Sequence, residues 1–236
     1  MLVLGFDTAT AAVSVALLDG DRVAAQACTV DARRHGELLM PMIAKVMADA
    51  GVARGDLGAI AVGVGPGPYT GLRVGVVTAR VLGSVLGLPV HGVCSLDVIA
   101  ASAAAGREFL VATDARRREV YWARYDAAGR RLAGPLVDRA GSIPGAAELP
   151  VAGAGGQLYP EAFGQVTGPA YPDARTLCRI VAGSIAPGSP AAEGIAGASP
   201  GPVTLLAPEP LYLRRPDARE PGPPKRVTPP GLQARS

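Results

Sequence analysis

Two short acidic turns are the first places in this chain where phosphate chemistry could occur. Asp7, Thr8 and Thr10 follow the apolar run that opens the sequence, and Asp114 follows a second apolar run. A carboxylate and hydroxyls in a turn after a strand can hold a nucleotide phosphate through Mg²⁺. The same residue types form Asx turns and strand-end caps, so both interpretations of Asp7 stay open. For Asp114 we favour a structural salt bridge with Arg116.

A glycine- and proline-rich turn, GPGPYTGLR, occupies residues 65–73 between an apolar run and a helical pattern. Backbone amides at such a turn can meet an anion at the start of the helix. The spacing is neither the GxGxxG dinucleotide fingerprint nor a P-loop, which requires Gly-Lys-Ser/Thr. We therefore favour a tight turn between strand and helix without a ligand.

Other catalytic arrangements find little support in the sequence. There are two histidines, His35 and His91, with no HExxH motif and no GxSxG nucleophile elbow. The three cysteines, at 28, 94 and 178, are scattered and lack CxxC spacing. The sequence thus argues against a zinc hydrolase and a serine hydrolase, and it predicts buried free thiols.

Length and composition indicate a globular protein of one large domain or two small ones. The chain has 236 residues, of which 49% are hydrophobic. We expect neither a signal peptide nor a membrane span, and hence a cytoplasmic protein. The net charge of +3 is too small for an autonomous nucleic-acid binder. The tightest arginine cluster of the chain, residues 116–118, could touch a tRNA backbone, but we favour a solvated hairpin.

Hydropathy in the first half predicts an antiparallel meander followed by alternating helices and strands. Pro41 conflicts with the first helix and suggests a late start or a bend. Small residues recur every fourth position from Gly71 to Gly87, so a neighbour must approach closely, either within the domain or from another chain. The predicted elements are strands 2–6, 12–18, 22–30, 59–64 and 90–93, and helices 35–50, 70–87 with Thr70 as N-cap, and 96–105.

The second half begins a similar pattern near residue 107. Strands are predicted over 109–113, 119–125 and 131–137, and short elements over 174–184 and 203–206. This echo of the first meander suggests two related halves. The predicted division is an N-terminal lobe over 1–105, a smaller lobe over 106–216 and a disordered Pro-rich tail over 217–236.

Five separated segments together resemble one known family. They are GFDTATAAVSVALLD, GPGPYTGLRVGVVTAR, LPVHGVCSLD, DARRREVYWARYD and PLYLRRPDARE, which span roughly residues 1 to 220 in order. They are similar to TsaB (YeaZ), a subunit of the bacterial machinery that makes threonylcarbamoyladenosine (t6A) in tRNA. The resemblance implies an α/β, actin-like (ASKHA) fold: two RNase-H-like lobes with mixed sheets flanked by helices.

The resemblance also implies that this chain lacks a catalytic metal. In the catalytic paralogue TsaD, which transfers threonylcarbamoyl to the adenosine beside the anticodon, an HxxxH motif binds the metal. Alignment places Gly92 and Leu96 at those two positions, and neither side chain can coordinate iron or zinc. The expected role is a non-catalytic partner of TsaD, with TsaE as ATPase partner and a TsaC-type enzyme and tRNA as indirect partners. A homodimer is also expected.

TsaB subunits dimerise through two helices, which correspond here to residues 35–50 and 70–87. Any ATP or ADP site with Mg would be weak and would use Asp7, Thr8, Thr10 and Asp114. An ATP-dependent phosphotransferase of the acetate or sugar kinase type is the alternative function, although a catalytic base is not evident. A metallopeptidase would need ligands that are missing. The expected interface residues are His35, Leu39, Met42, Ile43, Val46, Leu72, Arg73, Val76 and Arg80.

Overall fold

A computed structural model of the protein describes residues 1–103, 105–186 and 203–214. The first meander and the strands after it form a sheet of five strands in the order β3-β2-β1-β4-β5. The first three strands are antiparallel, while β4 and β5 run parallel to β1. Its elements are β1 (Leu2–Asp7), β2 (Ala12–Asp19), β3 (Arg22–Val30), α1 (His35–Ala50), β4 (Leu57–Gly63), α2 (Tyr69–Leu86), β5 (Val90–Val93) and α3 (Ser95–Ser102).

The second half repeats this topology, as its weak sequence echo suggested. Its sheet has the order β10-β9-β6-β7-β8, in which β6, β7 and β8 form the meander and β9 and β10 are parallel additions. Read from the meander edge, both sheets have their strands in the sequence third, second, first, fourth, fifth. The elements are β6 (Phe109–Asp114), β7 (Glu119–Tyr125), β8 (Arg131–Arg139), β9 (Pro150–Ala152), α4 (Ala154–Leu158), β10 (Gln165–Val166) and α5 (Ala174–Ile185).

The first sheet is covered on both faces, which explains why β2 is buried at nearly every position. Leu4 and Phe6 of β1 face one core with α1 and α2. Val3 faces the opposite core with Leu177 and Val181 of α5. Helix α5 follows the second sheet in sequence yet packs on the first. The assignment of all of 106–216 to the second lobe therefore needs correction at this helix.

Helix α1 corrects one sequence expectation. It begins at His35 and continues through Pro41 to Ala50, so there is no late start. Pro41 has no N–H to donate within the helix, and its side chain is exposed. The buried face of α1 instead carries the packing that stabilises the helix.

Helix α2 begins one residue before the predicted cap. Its N-cap is Pro68 rather than Thr70, and no side chain caps the helix. It ends as expected at Gly87, whose left-handed φ of 66° allows its N–H to reach the Gly83 carbonyl. Strands β3, β5 and β7 have the predicted bounds, and the other predicted strands and α3 differ at their ends.

The last described segment, residues 203–214, lies against both lobes. The short element predicted over 203–206 is present only as an isolated antiparallel bridge between Leu206 and Gly92. The Leu211 N–H donates to the Val64 carbonyl at 2.8 Å. Arg214 then reaches the second lobe, where it contacts the Ala115 carbonyl. The predicted tail over 217–236 lies outside the described residues.

Two of the three predicted buried thiols are buried. Cys94 and Cys178 lie in the interior, where burial raises the pKa of each thiol to about 12. Cys28 is exposed because it lies on β3, the edge strand of the first sheet. Within the described part of the chain, no helix has the length and apolar character needed to cross a membrane.

Candidate functional site

A cleft lies where the carboxyl ends of β1 and β6 face each other across the two lobes. These are equivalent strands of the two sheets, which is why both acidic turns arrive at one place. The cavity has a volume of about 410 Å³. Of the predicted nucleotide residues, Thr8, Thr10 and Asp114 line it, whereas Asp7 does not.

Asp7 points into the protein instead. Its Oδ1 accepts the Ala9 N–H at 2.8 Å, which makes an Asx turn, and its Oδ2 accepts the Ser95 hydroxyl at 2.6 Å. The side chain is only 1% exposed. Burial raises the pKa of the Asp7 carboxyl, although both hydrogen bonds and His35 act in the opposite direction. The structural interpretation of this aspartate is the one that the geometry supports.

Asp114 is held by its own turn. Its Oδ1 accepts the Arg116 N–H at 2.7 Å, and its Oδ2 lies 3.4 Å from the Arg116 guanidinium. The predicted salt bridge is therefore confirmed. Arg116, Arg117 and Arg118 are exposed at the β6–β7 hairpin, as the solvated-hairpin interpretation required, and all three have left-handed φ values near 60°.

On the first lobe's side of the cleft, the turn after β1 makes close contacts with α1 and α2. The Thr8 hydroxyl donates to the Gly71 carbonyl at 2.7 Å, and His35 Nε2 lies 2.7 Å from the Thr10 carbonyl oxygen. A Cβ on Gly71 would lie 2.7 Å from the Thr8 carbonyl oxygen, and one on Gly75 would lie 2.4 Å from Thr8 Oγ1. The small-residue stripe thus serves packing within this chain, which was the first of the two alternatives.

The GPGPYTGLR turn is likewise occupied by internal contacts. The Gly65 N–H donates to Ser95 Oγ at 3.2 Å, and the Ser95 N–H donates to the Gly65 carbonyl at 2.7 Å. After the turn, the Arg73 guanidinium lies 4.1 Å over the Tyr69 ring and donates to the Tyr212 hydroxyl at 2.8 Å. The turn joins β4, α2, α3 and the C-terminal segment, and its residues Pro68, Thr70 and Gly71 also line the cleft.

Seven of the nine expected interface residues are buried within the chain itself. The helical period correctly predicted an apolar face. That face packs on the first sheet, so little of its surface is exposed for contact with a partner. Arg73 and Arg80 are exposed, and their role at an interface stays a prediction. The seven core residues, each 8% exposed or less, are His35, Leu39, Met42, Ile43, Val46, Leu72 and Val76.

A different apolar row on α2 escaped the sequence reasoning. Val77, Val81 and Val85 are 54%, 54% and 76% exposed. Buried Leu72 and Val76 are four residues apart, and the three valines follow one another at the same spacing, so the two rows share a four-residue period. That shared period was the available signal, but it does not say which row is buried. We call these three valines the α2 stripe.

Polar side chains from both lobes meet in the interior, away from the cleft residues. The Tyr125 hydroxyl on β7 donates to Asp97 Oδ1 at 2.7 Å, and the Arg131 guanidinium on β8 lies 3.4 Å from the same oxygen. Asp97 is on α3, after the strands of the first sheet. Burial raises the pKa of Asp97, and Arg131 and Tyr125 oppose that rise. This cluster connects the lobes and was missed because its members are far apart in sequence.

Gly92 and Leu96 are both interior residues. Gly92 exchanges two backbone hydrogen bonds with Leu206, and Leu96 is fully buried in an apolar cluster. Across residues 1–103, 105–186 and 203–214, no group of three or more His, Cys, Asp or Glu side chains has the geometry to hold a metal ion.

Two lobes of identical strand order around a shared cleft define a protein of the actin-like fold class. A family model described as "TsaD: tRNA N6-adenosine threonylcarbamoyltransferase" matches residues 28–154. A Pseudomonas aeruginosa crystal structure described as similar to peptidase YEAZ superposes with a TM-score of 0.70 at 31% identity, covering 90% of this chain and 99% of that one. YeaZ from the same organism gives a TM-score of 0.67 at 30% identity, covering 77% and 91%. The chain belongs to this family and is of the TsaB/YeaZ type.

Relatives in sequence agree with this placement. An uncharacterized Mycobacterium bovis protein is 41% identical over 92% of this chain and 93% of its own length. A Bacillus subtilis protein named "tRNA threonylcarbamoyladenosine biosynthesis protein TsaB" is 38% identical over 53% of this chain. The match spans 55% of that protein's length, and 56% of the length of a 43% identical Mycobacterium leprae relative.

Proposed function

We propose that this chain acts in t6A formation as a non-catalytic subunit that pairs with a TsaD-type subunit through the exposed surface of α1 and α2. The relatives named TsaB in Bacillus subtilis and Escherichia coli support the t6A assignment. The proposed setting is the cytoplasm, where the tRNA substrate, a TsaE-type ATPase and a TsaC-type adenylate-forming enzyme would also be found.

The α2 stripe is the observation that carries the pairing proposal. Three valines in a row on one face of a helix form a continuous apolar strip, whereas isolated exposed apolar side chains are ordinary. Helix α1 packs beside α2 and adds Met40, which is 48% exposed. Arg80, next to Val81, supplies a charge at the edge of the strip. Such an apolar centre with a charged edge is typical of a protein interface.

The non-catalytic part of the proposal depends on Gly92 and Leu96. Glycine has no side chain and leucine has no donor atom, so neither can replace a histidine ligand. Both positions are also filled by internal packing, with Gly92 bonded to Leu206 and Leu96 in the core. The chain's contribution would therefore be to order the active arrangement of its partner.

Reconstitution of the modification tests this function. Unmodified tRNA, threonine, bicarbonate and ATP are incubated with the cognate TsaD-type, TsaE-type and TsaC-type proteins, with and without this chain, and t6A is measured by mass spectrometry. We expect t6A only when this chain is present, and none when the chain replaces the TsaD-type subunit. Equal t6A without the chain would overturn the proposal.

A second assay separates this function from the kinase alternative. The isolated chain is supplied with ATP, Mg²⁺ and a panel of sugars and short carboxylic acids, and ADP release is followed. A non-catalytic subunit is expected to give no turnover above that of a sample without acceptor. Acceptor-dependent ADP release would instead support the phosphotransferase.

A further inference from the structure

The last described segment, residues 203–214, is attached to the first lobe by its backbone, and we call it the clasp. The Leu206 N–H donates to the Gly92 carbonyl at 2.8 Å, and the Gly92 N–H donates back at 2.9 Å. A Cβ on Gly92 would lie 2.6 Å from a carbonyl oxygen of the clasp, so glycine is what allows this close approach to β5. The Leu211 N–H then donates to the Val64 carbonyl at 2.8 Å. These contacts fix the path of the clasp over the first lobe.

Tyr212 adds a side-chain attachment at the start of α2. Its ring stacks on the Tyr69 ring with centroids 5.4 Å apart, and its hydroxyl accepts the Arg73 Nε–H at 2.8 Å. The Arg73 guanidinium also lies 4.1 Å over the Tyr69 ring. Stacking, a hydrogen bond and a cation–π contact therefore hold the three side chains together. The chain that follows Tyr212 leaves the first lobe from a fixed point.

Arg214 connects the clasp to the second lobe. Its guanidinium donates to the Ala115 carbonyl at 3.0 Å and is paired with the Glu119 carboxylate. Both partners belong to the β6–β7 hairpin. Leu206 and Leu211 pack against the apolar cluster beneath α1 and α2 and also against the cluster between α3 and the second sheet. The clasp thus makes apolar, backbone and charged contacts that together join the two lobes.

Another polar connection between the lobes lies at the other end of β7. Tyr125 ends this strand and donates to Asp97 of α3, whereas Glu119 begins it and is paired with Arg214. A strand of this length separates the two points by about 20 Å. Held at one point alone, the second lobe could rotate about that point. Because both ends of one strand are attached, rotation requires that one of the attachments break.

The two connections differ in how easily they can open. Asp97 is 3% exposed, and the Tyr125 ring stacks on Phe109 in the interior. The side chains of Arg214 and Glu119, by contrast, are 28% and 31% exposed. Water and salt ions reach such a pair, so it can open without disruption of a core. The Arg214 contact is therefore the one that would release first.

We infer that the clasp holds the two lobes at one angle, with the Arg214 contact as its releasable end. The polar cluster at the other end of β7 then serves as the pivot. The cleft is lined by Pro68 and Thr70 from the start of α2 and by Asp114 and Arg116 from the β6–β7 hairpin. Since the clasp joins these same two parts of the chain, it sets how far the cleft opens. This inference does not depend on the proposed function.

Distance measurement between spin labels on the two lobes tests the clasp. In the full chain, Cys28, which is exposed on β3, takes one label, and Leu136→Cys, at a leucine 47% exposed on β8, takes the other. Cys94 and Cys178 are buried and should not react with the label. We expect one narrow distance distribution while the clasp is intact. Arg214→Ala should broaden it at least about twofold, because the second lobe can then turn about the pivot.

Two further variants assign the effect to the clasp. Glu119→Gln removes the same ion pair from the side of the second lobe and should also broaden the distribution. Arg124→Ala breaks an ion pair with Glu108 inside the second lobe, where both side chains are 37% exposed, and should leave the distribution unchanged. The inference is overturned by a narrow distribution in both Arg214→Ala and Glu119→Gln, by equal broadening in Arg124→Ala, or by a broad distribution while the clasp is intact.

Discussion

The Ser95 hydroxyl, at the start of α3, donates a 2.6 Å hydrogen bond to Asp7 Oδ2 at the end of β1. Asp7 is thereby turned away from the cleft, and its neighbours Thr8 and Thr10 are left to line it. Ser95 also accepts the Gly65 N–H, so one hydroxyl connects both turns that the sequence had marked for phosphate chemistry. Those turns serve mainly to assemble the first lobe.

The first prediction concerns the pH dependence of stability at Asp7. Burial raises the pKa of this carboxyl above 3.8, so the folded state retains its proton more strongly than the unfolded chain. The resulting stability is present below pH 3.8 and is lost as the pH rises through the folded-state pKa. The advantage of the wild type over Asp7→Asn should therefore shrink as the pH rises above 3.8, measured by urea unfolding at several pH values.

Asp31→Asn is the control for the direction of this pH dependence. Asp31 accepts hydrogen bonds from Arg33 and Arg34, which lower the pKa of its carboxyl below 3.8. The stability that it contributes is present above 3.8 and is lost as the pH falls through its lower folded-state pKa. The advantage of the wild type over Asp31→Asn should shrink in that acidic range. The same pH trend in both variants would contradict the account.

Much of the fold could be predicted from local patterns. The meanders were recognisable because their apolar runs alternate or end at glycine and aspartate. Gly87 indicated the end of α2, since glycine readily adopts the left-handed φ that this position has. Asp7 and Thr8 were correctly placed at a strand end. Whether Asp7 faced a ligand or the interior depended on Ser95, 88 residues away, and local sequence carries no such information.

The interface was harder to predict for a related reason. Leu72 and Val76 share a four-residue period with Val77 and Val81, so α2 has two apolar rows. The periodicity indicates a helix with apolar faces, but only packing on the first sheet decides which row is buried.

The second prediction tests the close approach of α2 to the β1 turn. Gly71→Ala would place a Cβ 2.7 Å from the Thr8 carbonyl oxygen, which is backbone and can yield only by moving β1's turn. We expect a loss of about 1–3 kcal/mol in the free energy of unfolding, measured with urea. Gly183→Ala in α5 is the matched control, since its Cβ would meet no atom within 4 Å.

The control substitution Gly183→Ala should not lower the free energy of unfolding. Alanine in an open helical position is more favourable than glycine by up to about 1 kcal/mol. Gly183→Ala should therefore leave stability unchanged or increase it. A stabilising Gly71→Ala would show that the small residues of α2 are not required for packing within the chain.

The third prediction concerns the buried cluster between the lobes. Tyr125→Phe removes the donor that reaches Asp97 Oδ1 at 2.7 Å and leaves a buried carboxylate with Arg131. Loss of a hydrogen bond to a charged group should cost about 1.5–3 kcal/mol in the free energy of unfolding. Tyr121→Phe on the same strand is the control, because no hydrogen bond from its hydroxyl is found among the described residues.

Tyr121→Phe should change the free energy of unfolding by less than about 0.5 kcal/mol. Equal effects of the two substitutions would mean that the Asp97 contact contributes nothing specific. A larger effect at Tyr125 would show that its hydrogen bond to Asp97 stabilises the fold.

The fourth prediction, and the most direct test of the account, is the affinity of this chain for the cognate TsaD-type subunit, measured by calorimetry. Val81→Glu places a charge in the α2 stripe, and Leu132→Glu does the same on β8, where the leucine is 55% exposed against 54% for Val81. Both variants should keep the wild-type unfolding midpoint. We expect Val81→Glu to weaken binding at least about thirtyfold and Leu132→Glu to leave it within about twofold. Wild-type affinity in Val81→Glu would contradict the proposed pairing through α2.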